Sequence, residues 1–324
     1  MLIKRLQALF HPEQYHGWGK TKRYFEGWYY KVVNAREDKA FAFIPGISMD
    51  EDGNQQAFVQ VLDGKKLSSE YHKFNVREFL PETGKFEIRL ANNIFSSEKI
   101  QLDLPAVKGE LSFKNQVAWP NRWYSPGIMG PYAFVPFMEC YHGILSMDHT
   151  IQGQLVINNE TVDFANGRGY MEKDWGHSFP GAYIWMQTNH FSQSRISLKA
   201  SVAKIPWLRS SFIGFIAGLW IDNQLFEFTT YNSTRLSKSF ADQKIVELVM
   251  EKRKYRLKIL AHREAATELA SPVSGFMDGR INESMTAKIE VQLYDKKNKQ
   301  ILFQDTGRNA GLEVAGKVEE IIVG

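Results

Sequence analysis

The stretch Gly169–Asn189, GYMEKDWGHSFPGAYIWMQTN, gathers two carboxylates, a histidine and two tryptophans. In a strand, alternate side chains share a face, so Tyr170, Glu172 and Asp174 point the same way with neighbours about 7 Å apart. Two carboxylates that close in a partly dry site repel, and one then tends to keep its proton near neutral pH. A kept proton is what a general acid needs. The competing reading is a solvated edge, or pairing with Lys173 or Arg168. His177 can act as acid, base or hydrogen-bond donor, and Gly176 before it permits a tight turn. Trp175 and Trp185 can steady a developing cation through their ring faces, or simply fill a core.

Trp185, Gln187 and Asn189 alternate along one face. They read either as a pocket wall with hydrogen-bonding points or as an outward, half-polar sheet face. Nearer the N-terminus, Tyr24, Glu26, Trp28 and Tyr30 share a face. A carboxylate among three aromatics has a raised pKa if buried alone, and a lysine or arginine partner would remove that anomaly. His11, Glu13 and His16 have a spacing that fits no regular metal site, so no metal is expected. There is no GxSxG element and no phosphate-cradling glycine loop, which argues against nucleophilic hydrolases and nucleotide enzymes.

These residues need strands to hold them, and strand signals dominate the 324-residue chain. Aromatics make up 13% of it, with 8 Trp, 13 Tyr and 22 Phe, a composition that favours sheets and apolar pockets. Short apolar runs recur between turn clusters from Tyr24–Val33 onward, and their regular spacing predicts an all-β sandwich or barrel architecture. Only the first residues and Asn309 to Val314 read as helix. Val117 to Pro136 is dense in Pro, Gly and Trp and reads as an ordered connector. The expected division is a β domain over 1–116, a connector over 117–150 and a second β domain over 151–324. A faint echo between Phe25-Glu26-Gly27-Trp28 and Met171-Glu172-Lys173-Asp174-Trp175 agrees with duplication of a β domain.

Composition also limits the partners. A net charge of +4 with scattered Lys and Arg and no nucleic-acid motif gives no reason to expect DNA or RNA binding. The single cysteine, Cys140, excludes an intrachain disulfide and fits a reducing compartment. No signal peptide is read at the N-terminus, and the longest apolar run, Ser210 to Ile221, is too short to span a bilayer. A cytoplasmic protein is expected, with at most peripheral contact to lipid.

Four blocks carry a resemblance. Tyr24-Phe25-Glu26-Gly27-Trp28-Tyr29-Tyr30-Lys31-Val32 resembles the opening motif of the tocopherol cyclase family. Tyr170-Met171-Glu172-Lys173-Asp174-Trp175-Gly176-His177-Ser178-Phe179-Pro180 resembles its central S-E-K-N-W-G-x-x-F-P pattern. Trp185-Met186-Gln187-Thr188-Asn189 is similar to its W-x-Q-x-N, and Ala310 to Gly316 to its A-A-V-E-V-G-G close. The order is kept along nearly the whole chain. Asp174 stands where the plant enzymes usually carry Asn, and the loops of the first half are shorter.

The resemblance implies two lipocalin-like antiparallel β domains, related to the carotenoid-hydratase-like proteins. It also implies a lipophilic substrate and no cofactor. Plant members protonate a trisubstituted alkene of a prenylated hydroquinone, and the phenolic oxygen traps the tertiary cation. The expected acids are Glu172 and Asp174, with Glu26 and His177 beside them. Trp28, Tyr30, Tyr170, Trp175, Trp185, Gln187 and Asn189 are the expected substrate contacts. The rival reading is a lipocalin-like carrier that holds a hydrophobic ligand unchanged, and a weaker one is a scaffold whose inherited site is inert.

Overall fold

The computed structural model describes residues 8–324, which after a helical Ala8–Leu9 form strands with short 3-10 turns between them. Of the expected helical first residues, 1–7 lie outside the described residues. The chain makes two compact units. The first runs to Phe179 and takes in Leu269–Arg280; the second comprises Pro180–Glu268 and Ile281–Gly324.

The first unit holds a 12-stranded antiparallel sheet. Its strands are β1 (Tyr24–Val33), β2 (Ala40–Met49), β3 (Gln55–Asp63), β4 (Ser68–Phe74), β5 (Phe79–Pro81), β6 (Glu87–Leu90), β7 (Asn93–Ser96), β8 (Lys99–Asp103), β9 (Val107–Lys114), β10 (Cys140–Ile157), β11 (Glu160–Asp163) and β12 (Gly167–Gly176). They lie in the order β4-β3-β2-β1-β12-β10-β9-β8-β7-β6-β5, with β11 on β10. The sheet curls over its own inner face. Phe79, on the terminal strand β5, lies 6.3 Å from Trp28 on central β1, and Phe86 stacks on Trp28 at 5.9 Å. Alternation explains the core: Trp28, Tyr30, Val32, Phe41, Phe43, Val59, Phe95, Leu111 and Met171 all turn inward into one cluster.

The second unit is built on a 10-stranded antiparallel sheet. The sheet's strands are β13 (Ala182–Thr188), β14 (Ile196–Trp207), β15 (Ser210–Ile221), β16 (Gln224–Thr229), β17 (Arg235–Ala241), β18 (Ile245–Glu251), β19 (Tyr255–His262), β20 (Thr267–Val273), β21 (Phe276–Asp295) and β22 (Gln300–Gly316), the parts of β20 and β21 within Leu269–Arg280 being counted with the first unit. The order is β16-β15-β14-β13-β22-β21-β19-β18-β17, with β20 on β21. Met186, Leu198, Leu219, Leu248, Ile259, Val291 and Leu312 centre its separate core.

Four expectations change here. Asn309 to Val314 lies in β22, because Gly311 to Gly316 pair with β13 from Gln187 back to Ala182 and the ladder overrides any local helical pattern. The Pro-rich segment after Val117 is irregular apart from a 3-10 turn at Gly130–Phe134, and it joins β9 to β10, which are paired neighbours of one sheet. The expected boundary at 150/151 falls inside β10, whose ladder with β12 continues to Ile151. Finally, the two echoing Glu/Trp blocks are antiparallel neighbours in one sheet: Glu26 faces Trp175 and Trp28 faces Lys173.

Candidate functional site

Strand β12 has two chemically different faces. On the first, Tyr170, Glu172 and Asp174 line up as alternation requires. The phenol of Tyr170 donates a hydrogen bond to Glu172 Oε2. Burial, followed by the Glu172 charge, holds the Tyr170 phenol far above its ordinary pKa, so it keeps its proton as a donor. Glu172 is buried and is flanked across the sheet by Tyr29 on β1 and Ile144 on β10.

The residue that sequence reasoning missed is His142. It enters from β10 directly opposite Asp174. Its Nδ1 lies 2.7 Å from Asp174 Oδ1, and its Nε2 lies 3.6 Å from Glu172 Oε2. Nε2 is buried and has no hydrogen-bond partner. The phenol, two carboxylates and imidazole therefore form one continuous array: Tyr170, Glu172, His142, Asp174. Cys140 adds a thiol 4.0 Å from Asp174 Oδ1. His142, Glu172 and Asp174 each offer a donor atom, all within 4.8 Å of one another, so the same array has the residue types to hold a divalent cation.

The opposite face of β12 carries Lys173, and here the Glu26 anomaly is resolved. Lys173 and Glu26 are both fully buried and form an ion pair at 2.5 Å. Glu26 also accepts from the backbone N–H groups of His16 and Gly17 and from the Tyr24 phenol. Its burial raises the carboxyl pKa, but Lys173 and the His16 contacts outweigh this, and Glu26 stays ionised below the usual carboxylate range. Burial lowers the Lys173 ammonium to about 8. Glu26 is therefore an ionised hydrogen-bond acceptor that serves the structure rather than an acid. It pins the segment from His11 to Gly17 across the sheet, with Lys173 donating to the Gln14 carbonyl and the Trp28 indole to the Glu13 carbonyl.

Of the two tryptophans expected to steady a cation, Trp175 already faces one, and Trp185 belongs to the second unit. The Lys173 ammonium lies 4.8 Å from the Trp28 ring and 4.6 Å from the Trp175 ring. Trp175 is further stacked on His16 at 4.2 Å and on Tyr141 at 5.5 Å. Tyr30 is core as well, its phenol donating to the Ser96 carbonyl at 2.9 Å.

A cleft of about 610 Å³ opens in the first unit beside this array. His142, Tyr141 and Trp175 line it, with His16, Met129, Phe134 and Phe137 among its other walls. His142 is thus the member of the array that meets the cleft. His177 lies on the rim. Burial, then Arg23 and Lys20, lowers its pKa, which favours the neutral ring over an acid. Gly176 shapes the turn here at φ +153°, and a Cβ would stand 2.2 Å from the Glu139 carbonyl oxygen.

Trp185, Gln187 and Asn189 belong to the second unit. Trp185 and Gln187 share a buried face of β13 with Tyr183, and Asn189 follows the strand, also buried. Tyr183 donates to Glu313 at 2.7 Å on β22. Across from Gln187 on β14 is the fully buried Lys199, which donates to Ser201 at 2.7 Å. That face is buried and carries polar side chains, so it is not an outward, half-polar sheet face. Lys199 and Glu313 escaped sequence notice because each sits among ordinary strand residues.

The fold and the site define an all-β protein of two antiparallel sheets with a buried acid–imidazole array. The model of the tocopherol cyclase-like family matches residues 96–316, and the chain belongs to that family. A chloroplastic tocopherol cyclase of Zea mays is 25% identical over 197 residues, which are 58% of this chain and 41% of that protein. The chain thus matches less than half the length of that relative. Among solved structures, CghA resembles it with a TM-score of 0.55 at 10% identity, covering 91% of this chain and 89% of that one. CghA with Sch210972 gives 0.54 at 9% identity, covering 90% and 88%. An AttH-like protein of Nitrosomonas europaea gives 0.51 at 12%, covering 90% and 92%. At these identities the likeness is one of fold alone.

Proposed function

We propose that this protein is a cofactor-independent, acid-catalysed cyclase acting on a prenylated, quinol-like or terpenoid lipid, built on lipocalin-like sheets. The observation that carries the reading is the array on β12 and β10: Asp174 bonded to His142 Nδ1, with His142 Nε2 turned to Glu172 and Glu172 bonded to Tyr170. Family membership supports the direction of the chemistry, and the largely apolar cleft beside His142 supports a greasy substrate.

In this reading Glu172 holds the proton. It reaches the alkene carbon through His142 Nε2, the point at which the array meets the cleft, a C–H bond forms, and a tertiary cation results. The phenolic oxygen attacks that cation and forms the C–O bond. The phenol's proton returns to the Glu172 carboxylate through His142 Nε2, so nothing is consumed and the product is an isomer of the substrate. Asp174 orients the imidazole and steadies it while charged. Tyr170 supports the carboxyl group through its hydrogen bond.

The test is mass spectrometry and chromatography of a prenylated hydroquinone incubated with the protein and with Glu172→Gln. A product of unchanged mass and new retention, formed only by the unsubstituted protein, supports the cyclase. Tight binding with the lipid recovered unaltered from both proteins would replace it with the carrier reading.

A further inference from the structure

The segment from Asn121 to Phe137 displays aromatic rings at its surface. Trp123 is 80% exposed, Tyr124 53%, Phe137 52% and Phe134 46%. Phe10 stands beside them at 36%, its ring 6.2 Å from that of Phe134. These side chains are not exposed by looseness of the backbone beneath. Ser125 to Gly130 and Met138 are buried, the Tyr141 phenol donates to the Val135 carbonyl at 2.5 Å, and the Asn121 amide donates to the Phe10 carbonyl at 2.5 Å. An apolar display held in place is a mark of an interaction site.

The chemistry of the display selects the partner. Between Val117 and Met138 the one charged residue is Arg122, which is exposed, and there is no carboxylate. Trp, Tyr and Phe around a cation are the residues that settle at the water–lipid boundary. Phe134 and Phe137 also wall the cleft, and the charged residues that line it are Lys20 and Arg23, with no Asp or Glu among the lining. Arg23 is 3.6 Å from Glu51 on the exposed surface, while Lys20 lies 5.7 Å from the Tyr24 ring. An apolar cleft mouth with aromatic and cationic edges complements anionic headgroups over acyl chains.

We propose that Phe10, Trp123, Tyr124, Phe134 and Phe137, with Arg122, dock the first unit on an anionic lipid bilayer so that the cleft opens onto the membrane surface. A lipid substrate then reaches His142 without crossing water. Docking is separate from catalysis and is measured without turnover, so its failure leaves the proposed chemistry standing and the converse also holds.

The experiment is flotation of the full chain with vesicles of phosphatidylcholine alone and of phosphatidylcholine with about 30 mol% phosphatidylglycerol. Binding is expected to be at least about fivefold tighter on the anionic vesicles and to weaken with salt. The double variant W123A/F137A should bind about tenfold more weakly, with an unchanged thermal midpoint showing that it folds, and R122E should lose the anionic preference. Absence of binding by the unsubstituted chain to either vesicle overturns the proposal. So does vesicle binding that W123A/F137A leaves unchanged. Concentration-dependent self-association in sedimentation velocity that W123A/F137A abolishes, without vesicle binding, would assign the face to a second copy instead.

Discussion

Asp174 Oδ1 sits 2.7 Å from His142 Nδ1, a bond between residues opposite one another on adjacent strands. It fixes the ring so that Nε2 points toward Glu172. Replacing His142 with Asn is expected to lower kcat by about 10²–10⁴-fold, the usual contribution of a positioned acid–base group. Steady-state turnover of a prenylated hydroquinone, with circular dichroism as the control for folding, checks this.

Asp174→Asn should be milder than Asp174→Ala. The amide oxygen can still accept from Nδ1–H, but the charge that steadies the imidazolium is gone. Trading a charge-assisted bond for a neutral one costs about 1.4 kcal/mol, or tenfold in rate. The alanine variant should fall as far as His142→Asn. Equal losses in both Asp174 variants would show that charge, and not orientation, is what Asp174 supplies.

The Lys173–Glu26 pair predicts a stability effect with a non-additive signature. Lys173→Met leaves Glu26 as a buried anion with only hydrogen bonds, and removal of one partner from such a pair costs about 3–5 kcal/mol. The double variant E26Q/K173M should regain much of that loss, because no buried charge is then left without its partner. Urea unfolding of the single and double variants measures the coupling.

His149 predicts the acid limb of stability. It is buried on β10, its Nδ1 3.1 Å from Ser146 Oγ, and its Nε2 has no partner. Burial, and after it the Arg168 guanidinium, lowers its pKa from 6.5 to about 3. The folded chain keeps this ring neutral while the unfolded chain takes up a proton below pH 6.5. Stability from this group is therefore fully present above 6.5 and is lost as pH falls toward 3, at about 1.4 kcal/mol per pH unit. At pH 5 the loss is about 2 kcal/mol. His149→Gln should flatten that slope in urea titrations between pH 7 and pH 4, as the amide carries no titrating proton.

Gly176→Ala should destabilise the turn that closes β12. Its φ of +153° disfavours a side chain, and the new Cβ would lie 2.2 Å from the Glu139 carbonyl, which backbone must move to relieve. A loss of about 2 kcal/mol or more in the unfolding free energy is expected, together with weaker lipid binding, since Gly176 lines the cleft.

Strands and one-strand patterns were legible because alternation is local. Tyr170, Glu172 and Asp174 were placed on one face by counting in twos, and the phenol–carboxylate bond follows directly. His142 was not legible because its partner lies 32 residues away and only the β10–β12 register brings them together. The role of Glu26 turned on the same limit. Its need for a cationic partner could be read, but Lys173 as that partner could not, since the pairing of β1 with β12 spans the whole unit. Trp175 was read as ready for a substrate cation, and the lysine that already occupies its face explains why ring type alone does not fix use.

The segment from His11 to Gly17 behaves as a stopper seated by the Glu26 carboxylate and the Lys173 ammonium. Cutting the backbone anywhere along it would unseat two charges at once and strip Pro12 and His16 from the wall of the cleft. Resistance of this stretch to protease thus doubles as a gauge of whether the binding hollow is intact, readable on a gel before any substrate is known.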